Sequence, residues 1–373
     1  MSGEPRSGAR LLGRASIMHL PEVVAALPEE DRQRFDQLYQ VVATVGELDP
    51  PASMAGWIER YFGSVEAVRR QKVVKVTNRL TLEEALFNEL RARRPLEARI
   101  PADLGDEIAK TGPDPFCEPE RNTPADPFGR IRGAHAITAG NIAKYDGLHS
   151  IIIFDEHHPL AFTEETVVDA VRLAQQWFAA AHQREPEAVY PLFMWNCLWK
   201  SGASIVHGHA QVSLTRGAHY GKVEQTRRAT LAYREAYGAE YFDDLFRVHQ
   251  SLGLGAAVGP IRVMASLVPL KEKEVILTAP VVDDDLARTA SRALRCLVER
   301  LNMVSFNLVM WMPPLTDTGE DWSGMPVVVR LVDRGDPLNR TSDIGAMELY
   351  AASVVSSDPF RVAEVLWDAL GVR

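Results

Sequence analysis

The sequence predicts an α+β fold with antiparallel sheet, on three observations. Strand-like and helix-like segments are mixed without the regular strand–helix–strand rhythm of a doubly wound parallel sheet. The run Ile151-Ile152-Ile153-Phe154, flanked by His149 and Asp155, reads as a short buried strand. Thr163 then caps a helix, with Glu164 and Glu165 at its positive end, and apolar positions continue at helical spacing from Val167 to Phe178 and on to about His182.

The remaining elements follow in chain order. Residues 1–15 are rich in Gly, Ser and Arg and read as a disordered tail. From Leu20 to Val74 the pattern is mostly helical: Phe35, Leu38, Tyr39, Val41 and Val42 recur at threes and fours, Pro50-Pro51 punctuates, and Trp57 to Phe62 opens a second helix. The texture changes at Lys72. Val73 to Val76 and Leu86 to Leu90 read as strands, and residues 101–130, rich in Pro, Asp and Gly, as irregular chain. Strands are expected over Pro191–Leu198, Val212–Leu214, Val263–Val268, Glu274–Leu277, Phe306–Trp311 and Val327–Leu331, and helices over 220–237, 284–302 and 358–370. The expected organisation is a tail and helical extension over 1–71, a half over 72–250 and a half over 251–373.

Composition excludes several classes. The chain has 373 residues, 46% hydrophobic and 24% charged, the balance of a soluble globular protein able to bury a full core. Lys and Arg number 41 against 50 Asp and Glu, a net charge of −9, which argues against a protein that coats nucleic acid. No apolar run approaches the ~18 residues of a membrane span, and the N-terminus lacks a signal-peptide core. Three widely spaced cysteines, Cys117, Cys197 and Cys296, argue for a reducing compartment, so the expected location is the cytoplasm.

The chemistry concentrates in Asn196-Cys-Leu-Trp-Lys-Ser-Gly202-Ala-Ser204-Ile-Val-His207-Gly-His209-Ala-Gln211. Histidines at i and i+2 of an extended segment share a face, with small Gly208 and Ala210 on the other. The turn Ser201-Gly202-Ala203-Ser204 offers N–H groups and hydroxyls that could cradle a phosphate. Gln211 lies on the histidine face and supplies an amide donor. A metal site uses such a pair but needs further ligands. A phosphoryl-transfer site uses a neutral imidazole as nucleophile, and the unperturbed pKa near 6.5 keeps histidine mostly neutral at pH 7. The plain alternative is a half-buried strand whose histidines happen to alternate.

The pattern Asn-x5-Gly-x-Ser-x2-His-x-His-x-Gln resembles the signature of the galactose-1-phosphate uridylyltransferase family, the transferase branch of the histidine-triad superfamily. Asn196, Gly202, Ser204, His207, His209 and Gln211 match it without a gap. The resemblance implies two histidine-triad-like halves with flanking helices, and His209 as a nucleophile that takes the nucleotidyl group from a nucleotide sugar and passes it to a sugar phosphate. Where related hydrolases carry a third histidine, Gln211 suits a phosphate leaving group, whose second pKa near ~6 lets it depart without a proton donor. Upstream, Asn78 to Pro95 resembles the family's first strand pair, which implies phosphate contacts from Arg94 and Arg91. Asn141 stands where the family has an asparagine near the base or ribose.

The family often holds a structural zinc. Its Cys-x-x-Cys pair reads here Cys117-Glu-Pro-Glu120, and its strand-plus-His element reads Phe154-Asp-Glu-His157-His158. The resemblance implies Cys117, Glu120, His158 and His207 as ligands, with His157 the alternative to His158. In the second half, Ile344 to Leu349 is similar to the family's Gly-aromatic-Glu segment, which implies that Glu348 faces the hexose. The late His-x-His of some members is replaced by Val327-Val328-Val329-Arg330; Arg330, Arg334, Asn339 and Arg340 could instead meet another phosphorylated acceptor. The resemblance thus implies a nucleotidyltransferase acting on a nucleotide sugar and a phosphorylated acceptor, with homodimers common in the family. A dinucleoside polyphosphate or nucleotide-sugar phosphorylase using the same histidine is the alternative, and a non-catalytic nucleotide sensor is a third.

Overall fold

The protein, represented by a computed structural model, is described over residues 15–93, 99–100 and 102–372. The expected disordered tail, apart from Ala15, and Arg94 lie outside the described residues. Among the described residues thirteen strands can be followed: β1 Tyr39–Glu47, β2 Arg70–Asn78, β3 Glu84–Phe87, β4 Ala136–Gly140, β5 Leu148–Phe154, β6 Ala188–Cys197, β7 His209–Arg216, β8 Gly255–Val258, β9 Ile261–Ala265, β10 Glu272–Ala279, β11 Phe306–Trp311, β12 Val327–Asp333 and β13 Ser353–Val355. They form a four-stranded sheet in the order β1-β2-β3-β13 and a nine-stranded sheet in the order β4-β5-β7-β6-β11-β12-β10-β9-β8. The fold class is α+β, as the sequence predicts.

Every pairing in the large sheet is antiparallel. β5 is buried along its whole length, which is why its apolar run does not alternate. The sheet crosses from the first half of the chain to the second at the β6–β11 pair, in register from Phe306 opposite Cys197 to Trp311 opposite Leu192. The helix Glu164–Arg184 covers the β4–β7 end of the sheet. It starts in a reciprocal cap between Thr163 and Thr166, and its own first turn is acidic. The helix Asp284–Leu301 packs against it and against Pro359–Leu370. At the seam, Trp195 packs edge-on against Phe154, Phe162 and Phe306, with ring centroids 5.0–5.1 Å apart. Among the described residues no helix is long and apolar enough to cross a membrane.

The first part of the chain departs from expectation in several places. The helical spacing that begins at Phe35 stops at Leu38, and Tyr39–Glu47 is a strand paired with β2 from Tyr39–Asn78 to Glu47–Arg70. The segment is Tyr-Gln-Val-Val-Ala-Thr-Val, dominated by aromatic and β-branched residues that suit a pleated surface. The expected extension therefore contributes a strand to the same sheet as β2 and β3. The helix Tyr241–Ser251, unforeseen from the sequence, buries Tyr241, Phe242, Leu245, Phe246 and Val248.

Candidate active site

β7 begins at His209, and the loop before it carries His207. Gly208 between them has no room for a side chain, since a Cβ there would stand 2.9 Å from the Phe154 ring. That close approach brings the loop onto the end of β5, where His207 Nε2–H donates to the Phe154 carbonyl at 2.7 Å. His209 Nδ1–H donates to the His207 carbonyl at 2.8 Å. With Nδ1 carrying the proton, the lone pair of His209 sits on Nε2. His209 is 6% exposed, and burial holds its pKa below the ordinary histidine value, partly offset by the hydrogen bond to His207. The ring is therefore neutral and its tautomer fixed.

His209 and Gln211 line a cavity of about 350 Å³ together with Asn141, Gly202, Ser204, Phe116 and Tyr145. Phe116 stands edge-on to the His209 ring at 5.2 Å. Gly202, at φ +98°, turns the chain left-handed after the short helical turn Trp199–Ser201, a conformation that favours glycine. Ser201 does not face a ligand: its hydroxyl donates to the Cys197 and Leu198 carbonyls. Asn196 is held from the second half of the chain, because Asn307 Nδ2 donates to Asn196 Oδ1 at 2.6 Å and to the Ser201 carbonyl at 2.9 Å. Arg334 fixes Asn307 in turn by donating to its Oδ1 at 2.6 Å.

A second cluster lies behind His207. Donor atoms of Asp114, Cys117, His157 and His207 all lie within 4.8 Å of one another. The Nδ1 atoms of the two histidines are 3.3 Å apart, and Cys117 Sγ is 3.5 Å from one and 3.6 Å from the other. His207 uses Nε2–H for the Phe154 carbonyl, so its Nδ1 is a bare lone pair. Thr111 Oγ1 gives its proton to the Ile108 carbonyl and so receives one from His157 Nε2 at 3.3 Å, which bares the other Nδ1. Asp114 Oδ2 is buried without a hydrogen-bond partner. Two imidazole lone pairs, a thiol and an orphan carboxylate oxygen converging on one point are a donor set suited to a tetrahedral cation such as zinc.

This cluster differs from the expected ligand set. Cys117 and His207 belong to both, while Asp114 and His157, the alternative to His158, stand in the cluster where Glu120 and His158 were expected. Glu120 is exposed on the helical turn Pro119–Asn122. His158 spends its Nδ1 on the Leu160 N–H at 3.2 Å. Asp114 has a signal in hindsight, a carboxylate three residues before Cys117, whereas its approach to His207 depends on the whole loop.

Other expected contacts are elsewhere. Arg91 lines a separate groove of about 540 Å³ with Leu48, Met54, Trp57 and Phe62. Glu348 accepts the Gly345 N–H at 2.9 Å and so caps its own short helix. Neither is among the residues lining the His209 cavity. Arg330, considered above for an acceptor phosphate, is 6% exposed and bound to Glu274 at 2.7 Å and Glu83 at 2.7 Å. Arg334 pairs with Asp343 at 2.7 Å.

Comparison with solved structures finds the same fold in other proteins, among them the following three. An ADP-glucose phosphorylase from Arabidopsis thaliana, with ADP-glucose bound, aligns at 16% identity and a TM-score of 0.57, over 78% of this chain and 97% of its own. A uridylyltransferase aligns at 14% and 0.53, over 67% and 88%. A GalT-like protein from Arabidopsis thaliana aligns at 16% and 0.52, over 69% and 92%. No protein-family model matches the sequence, and no curated protein matches it. The chain has the uridylyltransferase fold.

Proposed function

We propose that the protein is a nucleotidyltransferase that moves a nucleoside monophosphate from a nucleotide sugar to a phosphorylated acceptor through His209. The observation that carries this reading is the fixed tautomer of a buried, neutral His209 beside Gln211 in a cavity walled by a glycine turn. His209 Nε2 attacks the α-phosphorus in line; the N–P bond forms as the bond to the bridging oxygen breaks, and the leaving phosphate carries away the electron pair. Nδ1–H stays on the His207 carbonyl and helps spread the positive charge of the nucleotidyl-histidine. The acceptor's phosphate oxygen then attacks the same phosphorus and restores neutral His209. Ser204, Gly202, Asn196 and the Gln211 amide hold the phosphoryl oxygens and Asn141 the base or ribose; the family resemblance gives the diphosphate to Arg94, while Arg91, in its separate groove, takes no part. Residues 72–250 form the nucleotidyl half and 251–373 the acceptor half.

The cluster of Asp114, Cys117, His157 and His207 supports a structural zinc. When bound, zinc supplies a fixed charge that ties the loop of Asp114 and Cys117 to the loop of His207. The three unpaired cysteines support a reducing, cytoplasmic location.

A second reading is phosphorolysis, with inorganic phosphate as acceptor. It is favoured by Glu348 and Arg330 being engaged within the protein and not toward a sugar. One experiment separates the readings. The protein is incubated, without acceptor, with UDP-glucose, ADP-glucose, a GDP-sugar or diadenosine tetraphosphate labelled at the α-phosphorus, and an acid-labile, base-stable label is sought. The label is expected and identifies the nucleotide. Its discharge by glucose 1-phosphate or galactose 1-phosphate supports transfer, and discharge by inorganic phosphate alone supports phosphorolysis. Nucleotide binding with no label from any donor would refute both and leave a sensor.

A further inference from the structure

His149 plays no part in the chemistry above, yet it is fully buried beside it. The ring sits on β5 and is 0% exposed. Its Nδ1 accepts the Tyr145 N–H at 2.9 Å, so in the neutral ring the proton is on Nε2. Nε2 lies 3.0 Å from Gln211 Oε1. The hydrogen bond therefore runs from His149 to the carbonyl end of Gln211, which assigns the two ends of an amide that could otherwise turn over. Asn141 Nδ2 lies 3.3 Å from the same Nε2, and its own Oδ1 takes the Ala143 N–H at 3.1 Å. Tyr145 stacks on the ring, 4.6 Å between centroids and 16° from parallel. Lys144 Nζ donates to the His149 carbonyl at 2.7 Å, so the cavity wall over 141–145 is tied to this one residue. Burial keeps the ring below the ordinary histidine pKa, opposed by the bond to Gln211.

The orientation matters because of charge. A phosphoryl oxygen needs a donor, and an amide turned the other way would present lone pairs to it. We propose that His149 is a positioning residue: it holds Gln211 Oε1 so that the Gln211 NH2 group faces the phosphoryl oxygens of the nucleotidyl group. This rests on the reading of His209 as nucleophile, and it adds a role for a residue outside the histidine pair.

The test uses two polar variants that divide the ring's contacts. In His149→Asn the amide stands where Nδ1 was, keeps the Tyr145 bond and loses reach to Gln211. In His149→Gln the amide stands where Nε2 was and can still donate to Gln211. Single-turnover labelling by a nucleotide sugar is measured for each, with and without Gln211→Ala, alongside nucleotide affinity and melting temperature. His149→Asn is expected to slow labelling about tenfold to a hundredfold, the range for a displaced group at a reacting centre. Nucleotide affinity should hold, His149→Gln should stay within about threefold of wild type, and His149→Asn should cost nothing further in the Gln211→Ala background. Wild-type labelling with His149→Asn equally fast, or equally harmful with and without Gln211, would overturn the role of His149 alone. If His149→Asn fails to fold, His149→Gln decides, a loss of about tenfold or more overturning the proposal. A wild-type protein that takes no label would overturn both this proposal and the function beneath it.

Discussion

The main-chain carbonyl of His207 holds the Nδ1–H of His209 at 2.8 Å, while the His207 ring turns the other way into the cluster with Asp114, Cys117 and His157. One residue thus serves two sites, its backbone setting the tautomer of His209 and its ring closing a metal-type cage. Anything that shifts the loop of His207 reaches His209 through a single peptide group.

Removing the nucleophile gives the plainest prediction. If His209 is the proposed nucleophile, His209→Ala should lower turnover by about 10⁴-fold or more. Nucleotide affinity and the far-ultraviolet spectrum should be retained. The acid-labile label should vanish, which a rate measurement by itself would not establish.

The metal ligands separate by substitution. Elemental analysis of the purified protein should find about one zinc per chain. Asp114→Ala and His157→Ala should lose most of it, while His158→Ala and Glu120→Ala should keep it. Stripping the metal should lower the melting temperature and slow labelling about tenfold, through the peptide link between His207 and His209. Retention of zinc by His157→Ala would refute the ligand set.

Arg330 is a stability residue. Its guanidinium lies between Glu83 and Glu274 and over the Trp311 ring at 5.4 Å. Arg330→Met should cost about 3–5 kcal/mol in urea unfolding, because two carboxylates are left without their cation. Replacing all three residues by apolar ones should recover most of that loss. The acceptor preference should not change in the variants that fold.

Two buried histidines outside the His209 cavity contribute to the acid response. Burial pushes His219 and His249 each down to about 4, against the opposing pull of their carbonyl partners Met312 and Leu245. Each is neutral when folded and protonates near pH 6.5 when unfolded. The stability they carry is complete above pH 6.5 and is lost as pH falls toward 4. In that window His249→Leu should flatten the fall by about 1.4 kcal/mol per pH unit, read from urea midpoints across the range.

Much of the large sheet was legible because its strands are largely buried and read as apolar runs. β11 was expected at Phe306–Trp311 and is found there. The β1 strand was hidden because it is mostly exposed: its Val41, Val42 and Val45 continue by accident the spacing set by Phe35 and Leu38. At the site, the His-x-His-x-Gln run was legible because its parts are neighbours in five consecutive residues at the start of β7 and the loop before it. Asp114, His149 and Asn307 were not, because each acts through a partner 62 to 111 residues away that only the fold brings near: Asp114 with His207, His149 with Gln211, Asn307 with Asn196. Glu348 shows a related ambiguity. A carboxylate three residues after a glycine can face a ligand or cap its own helix, and here it caps.

The β6–β11 pair makes the two halves inseparable in a practical sense. Severing the chain near residue 250 would leave β6 as a raw edge on one fragment and β11 on the other, with Trp195 parted from Phe306. The first fragment would also lack β13, which closes the small sheet beside β3. Each piece would carry a sticky, unpaired border that invites self-association. Expressed apart, the halves should precipitate; expressed together in one cell, they should find each other along that border and reassemble.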